Sequence, residues 1–255
     1  LSAPGCPSAG INLIGILQES GALTFDGVHG EGPARLAALA AEQGITNFVH
    51  VSAIGADEES TSAYGRSKAL GEKGVRTALP TATIVRPSIV FGPEDDFFNR
   101  FATMARLSPA LPLIGGGETK FQPVYVKDVA DALAVLVESQ GAQGADYEFG
   151  GPEVETFKEL MELMLQIIGR SRVLVPVPFG IATFIAKTTQ FSPGAPITVD
   201  QIEMLKSDNV VSEAAQAEGR TLEGLGIAAK APDVVLPTYL VRFRKTGEFP
   251  EPEVV

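Results

Sequence analysis

A chain of 255 residues, 45% of them apolar, can bury the core of one large domain or of a domain with a smaller lobe, and no stretch has the composition of a disordered segment. Twenty basic side chains against 31 acidic ones leave a net charge of −11, which argues against nucleic acid as a partner, because such binding needs a basic patch. One cysteine, Cys6, cannot close an internal disulfide and points to a reducing compartment, and two histidines are too few for a His-based metal centre.

No apolar run reaches the ~20 residues that span a bilayer. The first ten residues lack the charged and apolar regions of a signal peptide. In chain order, "INLIGIL" (11–17) reads as a short strand. "GPARLAALAAEQG" (32–44) has helical spacing and stops at a glycine. "TNFVHVS" (46–52) is a strand candidate, and its His50 sits in an apolar run as a core residue rather than a ligand. From Ser62 to about Leu79 the spacing is helical again, ended by Pro80. "TATIVRPSIVFGP" (81–93) reads as strand and turn. Strands alternating with helices predict a doubly wound, Rossmann-like α/β fold with a buried parallel sheet.

Beyond Pro93, helices are predicted over 96–108, 127–139 and 155–169, with a loop leading into a strand at 112–126. Thr156 and Glu159 stand at capping-box spacing, as do Thr198 and Gln201. Leu160, Leu163, Met164, Ile167 and Ile168 form an apolar stripe. Segment 179–191 is unusually apolar with Lys187 its only charge, so a core role is expected before membrane-surface contact. The expected organisation is a Rossmann-like domain over 1–150 and a smaller, mostly helical substrate or partner lobe over 151–255 that is not a strictly separate domain.

The chemistry-bearing stretch is "SAYGRSKALGE" (62–72). Tyr64 and Lys68, four apart, share one helix face. An ammonium beside a phenol favours the phenolate, which could exchange a proton with a carbonyl or alcohol while a nicotinamide carries the hydride. Lysine can also donate to ribose hydroxyls. Ser52 ends a strand, where doubly wound sheets bind ligands. On residue types alone, the pair could do chemistry, hold a cofactor, or be an ordinary helix surface.

The succession "INLIGIL", "HVSAIGAD", "YGRSK", "RPSIVFGPEDDFFNRF" and "GGGETKFQPVYVKDVADA" resembles the extended short-chain dehydrogenase/reductase superfamily. Its nearest likeness is the atypical branch containing the Rossmann-type accessory subunit of respiratory complex I and its bacterial relatives. The resemblance implies NAD or NADP as cofactor. It places Asn12 and Gly15 beside the cofactor, Ser52 at the strand end, Tyr64 and Lys68 as the catalytic pair with Lys68 on the nicotinamide ribose, and Pro87, Ser88 and Val90 in a turn facing the nicotinamide. Asn99, Arg106 and Gln122 become substrate-side candidates by position, and no metal is implied.

Two departures qualify this. Tyr64 follows Ser52 after a short segment, and Ala53 stands where a paired hydroxyl is common. The glycine-rich dinucleotide turn is also missing: "IGGGE" (114–118) lacks the strand–turn–helix frame. The expectation is that an N-terminal βαβαβ half of about 60 residues or more precedes this chain, at ~30 residues per βαβ unit. Three readings stay open. The first is a cofactor-holding, largely structural partner of a respiratory NADH:quinone oxidoreductase. The second is a free-standing NAD(P)-dependent oxidoreductase or epimerase acting on a sugar nucleotide or sterol-like alcohol. The third is a nucleotide-free interaction surface. Complex I subunits or a second copy are the expected partners, and the expected location is cytoplasmic, peripheral at an inner membrane, or on the mitochondrial matrix side.

Overall fold

Short runs rich in β-branched residues become a four-stranded parallel sheet of β1 (Ala9–Asn12), β2 (Asn47–Val51), β3 (Thr83–Pro87) and β8 (Asp146–Phe149), in the order β1-β2-β3-β8. The register places Asn12 beside His50, His50 beside Ile84, and Val85 beside Tyr147. The computed structural model describes residues 8–139, 143–189, 197–245 and 247, so Cys6 and residues 190–191 of the apolar segment lie outside the described residues. β1 is shorter than the apolar run 11–17 predicts. The Asn12 carboxamide oxygen accepts from the Ile14 amide at 3.1 Å, a local turn that competes with further strand pairing.

Contacts divide the chain into two units, one of Leu1–Ser88, Asp128–Phe149 and Val211–Ala228, the other of Ile89–Lys127, Gly150–Val210 and Ala229–Val255. The division follows returns of the chain and not a single break near residue 150. The segment from Val211 belongs with the sheet because it is tied to β8: the Ser212 amide donates to Glu148 at 2.7 Å and the Glu148 amide to the Arg220 carbonyl at 3.0 Å.

In the first unit, helix α1 (Gly32–Glu42) packs on α2 (Ala63–Ala78), closing over Phe48, Val75, Leu79 and Ile84. Small alanines at 37 and 40 let the two helices approach. Helix α4 (Val126–Glu138) buries Val129, Ala132, Leu133 and Leu136 at the expected spacing.

The second unit is less helical than its sequence suggests. The stretch 112–126, expected as a loop leading into a strand, holds the end of β5 (Ala110–Ile114), β6 (Lys120–Phe121) and β7 (Val124–Tyr125). These pair in turn with β10 (Val173–Val177), β9 (Glu155–Thr156) and β4 (Val90–Phe91). Strands of two residues leave no periodicity to read. Its core gathers Phe98 of α3 (Phe97–Leu107) with Phe157, Leu160, Met161 and Met164 of α5 (Phe157–Ile167). Both predicted capping boxes form, at Thr156/Glu159 and at Thr198/Gln201. Helix α6 (Phe179–Thr189) buries only Ala182 and Ala186 and leaves Phe184 70% exposed. No helix among the described residues is long and apolar enough to cross a membrane.

Candidate functional site

β2 delivers Ser52 at its end. The Ser52 amide donates to the Val85 carbonyl at 2.7 Å, continuing the ladder, while its hydroxyl is buried with no hydrogen-bond partner among the described residues. After a turn, Ser62 caps α2 by accepting from the Gly65 amide at 3.1 Å. That cap sets the helix phase: Tyr64 falls in the first turn and Lys68 directly above it, both on one face. The Lys68 ammonium is buried and donates to the Val51 carbonyl at 3.0 Å, beside Ser52 in the chain.

A third group meets them that the sequence did not single out. Residues Asp26–Glu31 form a π-helical segment that runs into α1. The wider turn delivers His29 into the protein, 1% exposed. Its ring lies edge-on to Tyr64 at 5.2 Å and stacks on Phe25 at 5.4 Å. Its Nε2 accepts from the Ile16 amide at 2.9 Å, so the neutral ring carries its proton on Nδ1, which donates to Ser67 Oγ at 3.0 Å. Ser67 in turn donates to the Tyr64 carbonyl at 2.8 Å.

The π-helical segment reaches α2 because Gly71 has no side chain. A Cβ built there would stand 1.9 Å from the His29 carbonyl oxygen, backbone that cannot swing aside. Gly71→Ala is therefore expected to destabilise the protein by about 1–3 kcal/mol, through overpacking that outweighs the ~1 kcal/mol helix-propensity gain of alanine. A urea midpoint at or above that of the unaltered protein would contradict the close approach.

Burial sets the electrostatics. It pushes the Lys68 ammonium down to about 8, with nearby Glu72 opposing the shift. Burial and then the charge of Lys68 lower His29 to about 4 and His50 to about 3. The phenol of Tyr64 moves the opposite way from the sequence expectation, up to about 12, because burial disfavours the phenolate. The ammonium donates to the Val51 carbonyl, and its charge lowers the two imidazoles.

Neutral imidazoles make a pH prediction. The unfolded chain takes up protons near 6.5 and the folded chain only near 4 and 3, so the unfolded state binds more protons in between. The stability these rings contribute is fully present above 6.5 and is lost as pH falls toward 4. The urea midpoint should thus drop between pH 7 and pH 5, above the range where most carboxylates titrate. Equal midpoints at those two pH values would contradict the assignment.

The remaining predicted residues divide between the units. Asn12 is buried at the end of β1 and its amide nitrogen donates to His50 Nδ1 at 3.0 Å, leaving His50 Nε2 buried without a partner among the described residues. Gly15 is exposed, and a Cβ there would lie 3.6 Å from His29 Nε2. Pro87 accepts from the Ile54 amide at 3.0 Å, and Ser88 donates through its amide to Phe149 at 2.8 Å. Val90 belongs to the second unit and is 37% exposed.

The three substrate-side candidates also lie in the second unit. Asn99 is occupied structurally: its amide nitrogen donates to Pro93 and Asp95 carbonyls at 3.1 and 2.8 Å, and its oxygen accepts from Arg242 at 2.7 Å. Arg106 stands exposed in the last turn of α3, about 10 Å further along the axis at 1.5 Å per residue. Gln122 donates to the Gly151 carbonyl at 2.8 Å, in a loop that also receives the Gly151 amide. No group of three or more His, Cys, Asp or Glu among the described residues could hold a metal ion.

Sequence reasoning also missed a polar bracket under the sheet. Arg86 of β3 forms a fork with Glu72 of α2, at 2.9 and 2.6 Å, and reaches Asp146 of β8 at 3.3 Å. It ties the site helix to the central strands. Nothing local marks these three residues as a group, since only the fold brings them together.

Residues 9–150, more than half of the chain, match the NAD dependent epimerase/dehydratase family. Among proteins of known sequence, the mitochondrial NADH dehydrogenase (ubiquinone) 1 alpha subcomplex subunit 9 of Arabidopsis thaliana is 40% identical over 214 residues, covering 80% of this chain and 53% of that protein. The chain thus spans about half the length of that relative. A ceramide reductase of Caulobacter vibrioides is 30% identical over 215 residues, covering 82% of this chain and 67% of that protein. Among solved structures, a dTDP-glucose 4,6-dehydratase of Bacillus anthracis in complex with NAD superposes with a TM-score of 0.64 at 18% identity, covering 91% of this chain and 71% of that one. With the match covering residues 9–150, the chain belongs to the NAD dependent epimerase/dehydratase family of extended short-chain dehydrogenases/reductases.

Proposed function

We propose that this protein binds a nicotinamide dinucleotide and acts mainly as a cofactor-holding accessory component of a respiratory NADH:quinone oxidoreductase. The observation that carries the binding half is the orphaned Ser52 hydroxyl beside the Val51 carbonyl that anchors Lys68. A buried hydroxyl without a protein partner calls for an explanation, and a ligand oxygen at this strand end would supply one. Lys68 has used one of three donors, and the others suit a ribose diol. These residues fit the nicotinamide–ribose half of the dinucleotide. The structural half of the proposal draws on the subunit 9 relative. The mitochondrial location in that relative's name supports, as part of the proposal, a peripheral place at an inner membrane, on the matrix side in a eukaryote.

A second reading draws on the ceramide reductase relative and on the Tyr64 phenol, held at about 12. When bound, the cofactor would supply hydride chemistry. A phenol that stays protonated at neutral pH suits donation to a carbonyl oxygen, so reduction is favoured over oxidation as the direction. The full-length protein separates the readings. Titration with NADH and NADPH, followed by their fluorescence, should show saturable binding, and a flat titration with both removes the cofactor-holding function. If a carbonyl substrate is turned over without partner subunits, the reductase reading gains, and Tyr64→Phe should then abolish turnover while sparing affinity.

A further inference from the structure

We infer that His29 is the positioning residue of this site, a neutral imidazole that fixes the loop after β1 and the Tyr64 turn of α2 to one another. Three contacts on three sides of one ring support it. The Ile16 amide donates to Nε2 at 2.9 Å, holding the loop that carries Gly15. Nδ1 donates to Ser67 Oγ at 3.0 Å, and Ser67 passes the link to the Tyr64 carbonyl at 2.8 Å. The ring itself lies edge-on against Tyr64, with Phe25 stacked on its other neighbouring position.

Nothing in this arrangement serves secondary structure alone. Ile16 lies in no helix or strand, and the loop's ties include Ile14 to Asn12, Ile16 to His29, Phe25 to Glu19, the Ser20–Leu23 bridge and the ring contacts of Phe25. The His29 bond joins that loop to the Tyr–Lys helix through Ser67, beside the edge-on contact of Phe25 with Tyr64 at 5.9 Å. The bond pattern also demands one tautomer, since Nε2 must accept and Nδ1 must donate. The backbone of His29 is seated with equal closeness, because its carbonyl lies over Gly71 of α2. A histidine here does what no aliphatic residue could: it accepts from one element and donates to another while filling an apolar cleft.

The consequence for ligand binding rests on the cofactor-holding reading, whereas the bracing does not. The test uses His29→Phe, which keeps ring packing but removes both bonds, Ser67→Ala, which cuts only the link to Tyr64, and His29→Gln, whose amide oxygen can accept from Ile16. Two readouts are taken on the full-length protein: hydrogen exchange at the Ile16 amide, and the fluorine resonance of Tyr64 in fluorotyrosine-labelled protein, assigned with Tyr64→Phe. In His29→Phe the Ile16 amide should exchange about tenfold faster or more, as expected for the loss of about one net hydrogen bond. His29→Gln should recover most of that protection. Ser67→Ala should shift the Tyr64 resonance while leaving Ile16 protected.

NADH and NADPH titrations form a separate arm. If the unaltered protein binds, His29→Phe should weaken affinity about tenfold and His29→Gln by less. If the unaltered protein binds neither nucleotide, the cofactor reading falls, and the positioning role is still decided by exchange and resonance. Unchanged Ile16 exchange and an unmoved Tyr64 resonance in His29→Phe would overturn the inference. So would loss of both signals to the same extent in all three variants, which would mark general loosening instead of two separable links.

Discussion

Replacing Lys68 with methionine is expected to weaken NADH and NADPH binding by about 10- to 100-fold while leaving the fold intact. The ammonium is buried and already held by the Val51 carbonyl, so it is pre-positioned rather than mobile. Hydrogen bonds from a charged donor are worth about 1.5–3 kcal/mol, which is the factor quoted. Methionine fills similar volume and removes a desolvated charge, so little stability should be lost. The same variant carries a cofactor-independent signature. Lys68 helps to lower both His29 and His50, and removing it should raise both imidazoles from about 4 and about 3 toward neutrality, read by NMR titration of the ring protons. In the unaltered protein, affinity should decline as pH rises through about 8, where Lys68 loses its proton. Undiminished affinity in Lys68→Met would remove this lysine from the binding site.

The second large effect lies in the other unit. Phe157→Ala should cost about 3–5 kcal/mol of stability, the range for emptying a fully buried aromatic site. Phe157 is 1% exposed and its ring meets Phe97, Phe101 and Phe121 between 5.3 and 6.4 Å. These neighbours belong to α3 and to β6, so one truncation leaves a cavity between elements distant in sequence. Urea unfolding of the full-length protein gives the value. A loss below about 1 kcal/mol would mean that the aromatic cluster repacks freely. Because Phe157 is also the first residue of α5 after the Thr156 cap, circular dichroism should check that the helix survives.

Tyr64 and Lys68 were legible because a helical i, i+4 spacing needs no tertiary information, and their neighbours Ser52 and Ser62 announced strand end and helix start. The capping boxes at Thr156/Glu159 and Thr198/Gln201 were legible for the same reason: both partners lie within one turn. His29 was not, since nothing local marks a π-helical turn or shows that its ring ends 5.2 Å from a tyrosine 35 positions on. Asn99 had the right position for a substrate contact, yet Arg242, far along the chain, occupies its oxygen.

The sequence by itself determined the order of strands and helices up to about residue 93, the parallel α/β class, the helix phase that pairs Tyr64 with Lys68, and the two capping boxes. These depend on periodicity, caps and short spacings, which act over a few residues. Tertiary structure decided the protonation chemistry and the connections. Burial held the phenol at about 12 against the pull expected from a neighbouring ammonium. Packing of α2 onto the π-helical segment, through Gly71, enlisted His29. Sheet register joined Arg86, Glu72 and Asp146. The physical reason is common to all three: desolvation and the meeting of distant side chains are properties of the folded interior, and no window of sequence contains them.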